Sequence, residues 1–145
     1  MKLCGIEAGG TKFVCGISDE NGKLIEQISF PTTTPEETLK QCQAFILKHQ
    51  PDALGIASFG PIDLNVNSPH YGYITTTPKP NWAYVNILGS LREVYAGPIG
   101  FDTDVNGAAL GESLWGKAQD VASCLYITIG TGIGGGFVSN NQCLH

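Results

Sequence analysis

The sequence has few charged residues, and basic residues are scarcest of all. Only 14% of its 145 residues are charged, and 8 Lys and Arg stand against 13 Asp and Glu, which gives a net charge of −5. Proteins that bind nucleic acid usually present a basic patch, and none is visible here. We therefore expect no nucleic-acid partner.

Long hydrophobic runs are also missing. No window of about 18 apolar residues occurs, so we expect no membrane span. The opening MKLCGIEAGG passes quickly into glycines and lacks the longer apolar stretch of a secretory leader. The five cysteines include no C-x-x-C pair, which favours buried reduced thiols over a metal or redox role and predicts a cytoplasmic protein.

Glycine, in contrast, is abundant. Its 19 copies indicate sharp turns and close approach of the backbone to a ligand. The periodicity of apolar residues predicts the order β-β-β-α-β-α-β-α-β-β, an α/β fold whose opening meander argues against a pure Rossmann unit. A capping box formed by Thr34 and Glu37, with Pro35 between them, predicts where the first helix begins. The stretch 85–96 predicts the second helix.

The first glycine turn lies in GIEAGGTK, residues 5–12. It matches the phosphate-binding P-loop pattern up to Gly10, but Thr11 then precedes Lys12, and strand-like FVCGIS follows instead of a helix. The amides of a glycine turn can still form a concave anion site, to which Thr11 adds a hydroxyl and Lys12 a cation. Glu7 could hold Mg²⁺ through water. Taken alone, this segment is better explained as a plain β-turn with a solvated lysine.

A second glycine turn lies in YITIGTGIGGGF, residues 126–137. Gly130, Gly132 and Gly135 satisfy the dinucleotide fingerprint G-x-G-x-x-G, but that fingerprint needs a helix next and an acidic residue about 20 positions on. A strand, a glycine turn containing Thr131, and a second strand fit better. Two such turns could grip one polyphosphate from two sides.

A polar cluster lies in GFDTDVNGAALGES, residues 100–113. Asp102, Asp104 and Asn106 fall where a strand ends and a helix begins, which is where ligands bind in open α/β sheets. A carboxylate there could take the proton from an alcohol that attacks phosphorus, and Asp104 is the better candidate because it follows the strand. Helix capping is the alternative. A calcium loop is a weaker match, because its final glutamate is out of place by one residue.

A long loop with four prolines spans residues 59–82. Loops of this length are usually functional or disordered, and the aromatic residues argue against disorder. Amides, a carboxylate and flat rings suit a sugar, which offers hydroxyls and an apolar face. The residues concerned are Asp63, Asn65, Asn67, His70, Tyr71, Tyr73, Asn81 and Trp82.

Taken in order, these segments resemble the ROK sugar kinases, and among them the bacterial fructokinases, over essentially the whole chain. GIEAGGTKF resembles their first phosphate motif, SFGPID their first sugar loop and PNW the segment that closes over sugar. FDTDVNGAALGE resembles the catalytic segment and YITIGTGIGGG the second phosphate motif. The resemblance implies an actin-like ATPase (ribonuclease H-like) fold with a mixed sheet. Residues 1–118 would form the N-terminal lobe and 119–145 the start of the C-terminal lobe.

The resemblance also implies residue roles. Asp104 would be the base acting on a sugar hydroxyl. Thr103, in place of the asparagine of glucose-type relatives, and Glu7, in place of their aspartate, shift the expected substrate towards fructose or mannose. The implied contacts to ATP phosphates are Gly9, Gly10, Thr11, Lys12, Thr131 and Gly132. The implied sugar contacts are Gly60, Pro61, Asn81, Thr103 and Asp104.

Several expectations about the whole protein follow from the resemblance. ATP and Mg²⁺ would be the cofactors, with zinc bound only by a C-terminal half that these residues lack. We expect a homodimer of the full-length protein, and little catalysis from these residues alone. A sugar-responsive regulator would need a helix-turn-helix before the first phosphate motif, for which we expect no room ahead of Gly5. A non-catalytic sugar-binding module remains open.

Overall fold

The computed structural model describes residues 1–130 and 132–145. The elements in chain order are β1 (Lys2–Ala8), β2 (Lys12–Asp19), β3 (Leu24–Pro31), α1 (Pro35–His49), β4 (Ala53–Ser58), α2 (Ile87–Arg92), β5 (Ile99–Thr103), α3 (Asp104–Trp115), β6 (Ser123–Ile129), β7 (Ile133–Ser139) and β8 (Gln142–Cys143). They form a five-stranded sheet in the order β3-β2-β1-β4-β5 and a three-stranded sheet in the order β6-β7-β8.

The five-stranded sheet is mixed. Strands β1, β2 and β3 form an antiparallel meander, whereas β4 and β5 pair parallel to β1 and to each other. The carboxyl ends of β1, β4 and β5 therefore meet at one edge of the sheet. At that edge Ala8 pairs with Ser58, and Ser58 pairs with Thr103.

One face of this sheet packs on α1 to form the core. Strand β1 buries every second residue, and α1 contributes Leu39, Phe45 and Ile46. The helix begins as predicted at Thr34, whose hydroxyl accepts from the Glu37 N–H. The capping box is only half formed, however, because the Glu37 carboxylate accepts from the Thr33 hydroxyl.

The opposite face carries a row of glycines. Gly16 pairs with Gly5, Gly5 with Gly55, and Gly55 with Gly100, so that one glycine from each of β2, β1, β4 and β5 lies in line. A Cβ added at Gly5 or Gly100 would meet nothing within 4 Å. This glycine row forms the floor of an open groove of about 910 Å³. Helix α3 lies beside it, with Gly107 close against Ala57.

Helix α2 is shorter than the stretch 85–96 predicted for it. Asn86 caps it by accepting from the Gly89 N–H at 2.7 Å. At the other end, the N–H groups of Glu93 and Val94 donate to carbonyls three residues back. This tightening ends the helix and turns the chain towards β5.

Strand β8 was not predicted, since NNQ indicated only a turn. Asn140 and Asn141 both adopt positive φ, at 49° and 60°, which is the backbone of a two-residue hairpin turn. Ser139 therefore pairs directly with Gln142. No helix within residues 1–130 and 132–145 is long and apolar enough to span a membrane.

All five cysteines are free, and three of them are buried in the core. Cys15 and Cys42 lie with their sulfur atoms 3.9 Å apart, and Cys4 is nearby on β1. Burial raises the pKa of Cys4 to about 12, so this thiol stays neutral and unreactive.

Candidate active site

The predicted site segments begin at one edge of the five-stranded sheet. The aligned residues Ala8, Ser58 and Thr103 are followed at once by the first glycine turn, the long loop and Asp104 respectively. Neighbouring strands lie about 4.8 Å apart, so the three segments start within roughly 10 Å of one another. Sheet topology thus brings together residues that are up to 95 positions apart in the sequence.

The first glycine turn connects two strands, as the residue pattern indicated. The Gly9 N–H donates to the Lys12 carbonyl at 3.1 Å, which closes the turn around Gly10 and Thr11. A Cβ at Gly9 would lie 2.5 Å from that same carbonyl oxygen, whereas one at Gly10 would meet nothing within 4 Å. Glycine is therefore required at position 9, whereas the space beside Gly10 is open to a ligand. Thr11 and Lys12 are exposed.

Asp104 is the first residue of α3, and Thr103 rather than Asp104 caps that helix. The Thr103 hydroxyl accepts from the Asn106 N–H at 3.2 Å. The Asp104 carboxylate is half-buried and accepts from the Val105 N–H at 2.9 Å. Burial raises the pKa of Asp104, and the backbone N–H groups of Val105 and Asp104 oppose this in part. A carboxylate with a raised pKa accepts a proton more readily than an exposed one.

Asp102 is engaged differently. Its Oδ1 accepts from the Thr103 N–H at 2.7 Å and from the Asn106 side-chain amide at 2.9 Å. Its Oδ2 lies 3.4 Å from Nε2 of His145. Asp102 and Asn106 therefore bond to each other and fix the turn from β5 into α3. The pairing and the His145 contact engage both oxygens of Asp102, which a calcium loop would direct at an ion.

The second glycine turn also connects two strands rather than opening a helix, which excludes the dinucleotide fingerprint. The Gly130 N–H donates to the Gly132 carbonyl at 2.9 Å. The predicted phosphate contact Thr131 lies outside the residues that the structure describes. Strand β7 passes so close to α3 that a Cβ at Gly136 would lie 2.1 Å from the Val105 carbonyl oxygen. The second turn is thereby anchored to the same helical turn that carries Asp104.

The long loop is folded onto the core. After the cis Gly60–Pro61 peptide, the Pro61 carbonyl accepts from the N–H and hydroxyl of Thr75. Near its end, Asn81 is exposed with φ of 68°.

Trp82 is fully buried, contrary to the expectation that its ring faces a sugar. Its ring packs 5.4 Å from that of Phe13 and 5.6 Å from that of Phe59, between centroids, and its Nε1–H donates to the Thr33 carbonyl. Trp82 thus supports the end of the long loop from within the core and does not face a ligand. The burial of Trp82 could not be predicted from the spacing of apolar residues, because the loop has no regular spacing.

Glu7 points to the face that bears the glycine row, and Glu7, Asp102 and Asp104 all line the groove there. Glu7 pairs with Ala57, which pairs with Asp102, so the two carboxylates stand about 10 Å apart across the sheet. Oxygen ligands of this kind suit Mg²⁺ held through water. Across residues 1–130 and 132–145, no three His, Cys, Asp or Glu side chains are placed to hold a metal ion directly.

Comparison with known proteins agrees with this architecture. The model of the ROK family matches residues 3–145. A fructokinase from Pediococcus pentosaceus is 52% identical over 142 residues, covering 98% of this chain and 49% of its own length. A fructokinase from Streptococcus mutans is 51% identical over 144 residues, covering 97% and 48%. The chain spans about half the length of the curated relatives it matches.

Solved structures show the same fold. A ROK hexokinase from Thermus thermophilus superposes with a TM-score of 0.83 at 30% identity, covering 99% of this chain and 49% of its own. A ROK glucokinase from Streptomyces griseus, in complex with glucose and AMPPNP, gives 0.82 at 26% identity, covering 99% and 46%. These matches confirm the actin-like ATPase fold inferred from the sequence motifs.

Proposed function

Because the chain belongs to the ROK family, we propose that it is the N-terminal part of an ATP-dependent fructokinase. The observation that carries this proposal is the alignment of Ala8, Ser58 and Thr103, which sets the glycine turn, the long loop and Asp104 side by side. Residues 1–118 would form one lobe and 119–145 the start of the next. The fructokinases from two bacteria at about 50% identity support fructose as the acceptor.

Asp104 would act as the general base. Its carboxylate would accept the proton of the sugar 6-hydroxyl while that oxygen forms a bond to the γ-phosphorus of ATP and the bond to the β-phosphate oxygen breaks. The raised pKa of Asp104 strengthens it as a proton acceptor. Asp102, whose Oδ1 already accepts two hydrogen bonds, would hold the backbone beside it.

The two glycine turns would hold the ATP phosphates. Gly9, Gly10, Thr11 and Lys12 would contribute amides, a hydroxyl and a cation from one side, and Thr131 with Gly132 would contribute from the other. Positioning and charge stabilisation supply most of the rate in phosphoryl transfer. Mg²⁺ would neutralise charge on the phosphates, with Glu7 holding it through water.

The sugar would lie against the mouth of the long loop. Gly60 and Pro61 would shape its floor, and Thr103 and Asn81 would offer hydrogen bonds beside Asp104. The Thr103 hydroxyl accepts a bond from Asn106, so its own proton remains available to a sugar oxygen.

The remaining properties that we propose concern the full-length kinase. It would be a cytoplasmic homodimer, with its zinc site in the half beyond residue 145. Residues 1–145 alone would show little or no catalysis.

An ADP-release assay with fructose, mannose and glucose tests the proposal in a full-length kinase that contains these residues. Fructose-dependent ADP release at the highest rate is expected. Binding of hexose without ADP release would indicate a non-catalytic or regulatory sugar-binding module instead. The isolated 145-residue chain serves as the matched control for the contribution of the second half.

A further inference from the structure

Thr32 lies between the first glycine turn and the end of the long loop. It follows directly after β3, and although it is polar only 8% of its surface is exposed. Buried polar groups in native proteins are nearly always hydrogen-bonded. The partners of Thr32 therefore show what its hydroxyl and backbone support.

On one side Thr32 contacts the glycine turn twice. Its hydroxyl donates to the Gly9 carbonyl at 2.7 Å, and its N–H donates to the Thr11 carbonyl at 2.9 Å. The two bonds bracket Gly10, the turn residue with open space beside it. These bonds engage the carbonyls of Gly9 and Thr11 with Thr32, and the Gly9 N–H is engaged by the Lys12 carbonyl. The N–H groups of Gly10 and Thr11 are the turn amides that could then face an anion.

On the other side Thr32 contacts the loop. Its carbonyl accepts from the Lys79 ammonium at 3.3 Å, and the next carbonyl, that of Thr33, accepts from the Trp82 indole at 2.9 Å. Lys79 and Trp82 flank Asn81, which we place against the sugar. One buried residue thus joins the segment proposed for phosphate to the segment proposed for sugar.

We propose that Thr32 is a positioning residue that couples sugar binding to phosphate binding, an inference that rests on the proposed function. When a sugar orders residues 79–82, the bond from Lys79 orders Thr32, and Thr32 in turn fixes the carbonyls of Gly9 and Thr11. By thermodynamic reciprocity, phosphate binding must favour sugar binding by the same factor.

Binding of Mg²⁺-tripolyphosphate with and without fructose tests this coupling in a full-length kinase that contains these residues. Tripolyphosphate carries the anionic tail without needing an adenine pocket. We expect fructose to raise tripolyphosphate affinity about fivefold or more, the usual lower range of such coupling. Thr32→Val should reduce the factor to nearly one, and Thr32→Ser should restore it.

Thr33→Val is the matched control. Its hydroxyl contacts Glu37 and Thr38, away from the glycine turn, so the coupling factor should be unchanged. Lys79→Met leaves the Thr32 hydroxyl intact and removes the bond from the loop to the Thr32 carbonyl, while the Trp82 bond to the Thr33 carbonyl remains. It should lower the coupling factor while each ligand still binds alone. An unchanged factor in both Thr32→Val and Lys79→Met overturns the inference.

Hydrogen exchange of the turn amides separates this inference from the proposed function. If neither ligand binds to the full-length kinase, the proposed function has failed, but the link from residue 79 to the turn can still be measured. Faster exchange at Gly9 in both Lys79→Met and Thr32→Val, but not in Thr33→Val, supports the link. Unchanged exchange in Lys79→Met overturns it, since a purely local role of Thr32 would be insensitive to that change.

Discussion

The two glycine turns belong to hairpins that are supported in different ways. The hairpin of β1 and β2 buries Ile6, Phe13 and Cys15 completely or nearly so, and it lies in the middle of a five-stranded sheet. The hairpin of β6 and β7 exposes Leu125 and the other apolar side chains of its outer face. Its inner face rests on α3.

This difference shows that similar turns can be positioned by different forces. Apolar burial and the bonds from Thr32 fix the first turn. Close backbone packing fixes the second, because Gly134 and Gly136 let β7 approach the first turn of α3. The strands of the first hairpin should therefore respond to loss of apolar volume, and strand β7 of the second hairpin to added volume at Gly136.

The largest effect is expected at Asp104, the first residue of the helix on which the second hairpin packs. In the full-length kinase, Asp104→Asn should lower turnover by about 10²–10⁴-fold, since a general base contributes about that much. Sugar affinity should largely survive. Steady-state rates with calorimetry of sugar binding provide the check, and near-normal turnover in this variant would refute the role of the carboxylate.

The next largest effect is on stability, where loss of apolar volume should destabilise the first hairpin much more than the second. Phe13→Ala should lower the free energy of unfolding by about 3–5 kcal/mol, since a fully buried ring is lost from contact with Trp82. Leu125→Ala is the matched change in the second hairpin, where the side chain is 60% exposed, and should cost within about 0.5 kcal/mol. Urea unfolding measures both, and equal losses would contradict the distinction.

Added volume should affect one face of the second hairpin and not the other. Gly136→Val should cost about 1–3 kcal/mol, because its Cβ would collide with the backbone of Val105. Gly135→Val points to the outer face, where its Cβ would lie 3.7 Å from the nearest atom, and it should be tolerated. Thermal unfolding of the pair is the measurement. Similar melting temperatures would show that β7 does not depend on this close approach.

The smallest effect concerns pH and stability. Because burial raises the folded-state pKa of Asp104 above 3.8, the folded chain holds this proton longer than the unfolded chain as pH rises. Stability should therefore fall as pH rises from about 3.8 through the raised pKa. Asp104→Asn should remove that fall and melt slightly higher at pH 7. A lower melting temperature there would mean that the favourable dipole of α3 outweighs burial.

Local chemistry predicted much of this molecule. Thr34 and Pro35 marked the start of α1, and strand-like residues after each glycine cluster predicted turns between strands rather than P-loop or Rossmann helices. The position of Asp104 followed from the end of an apolar strand and the polar residues after it. These features are encoded within a few residues of where they act.

Contacts between distant segments were not predictable in the same way. Trp82 looked like a ligand-facing ring because nothing near it in the sequence shows that Phe13 and Phe59 enclose it. The role of Thr32 depends on partners more than twenty positions away in both directions. The end of α2 was missed because a tightened last turn ends it. The pairing of β8 was missed because it depends on the left-handed backbone of Asn140 and Asn141.

The glycine row has a mechanical consequence. Side chains that face each other across neighbouring strands stabilise a sheet, and each such pair contributes about 0.2–1 kcal/mol. Gly5, Gly55 and Gly100 supply none on the groove side, and each stands three residues before the edge residue of its strand. We expect the sheet to bend most easily along this line. Bending there would let the strand ends at Ala8, Ser58 and Thr103, with Asp104, tilt together while the core that packs on α1 stays in place.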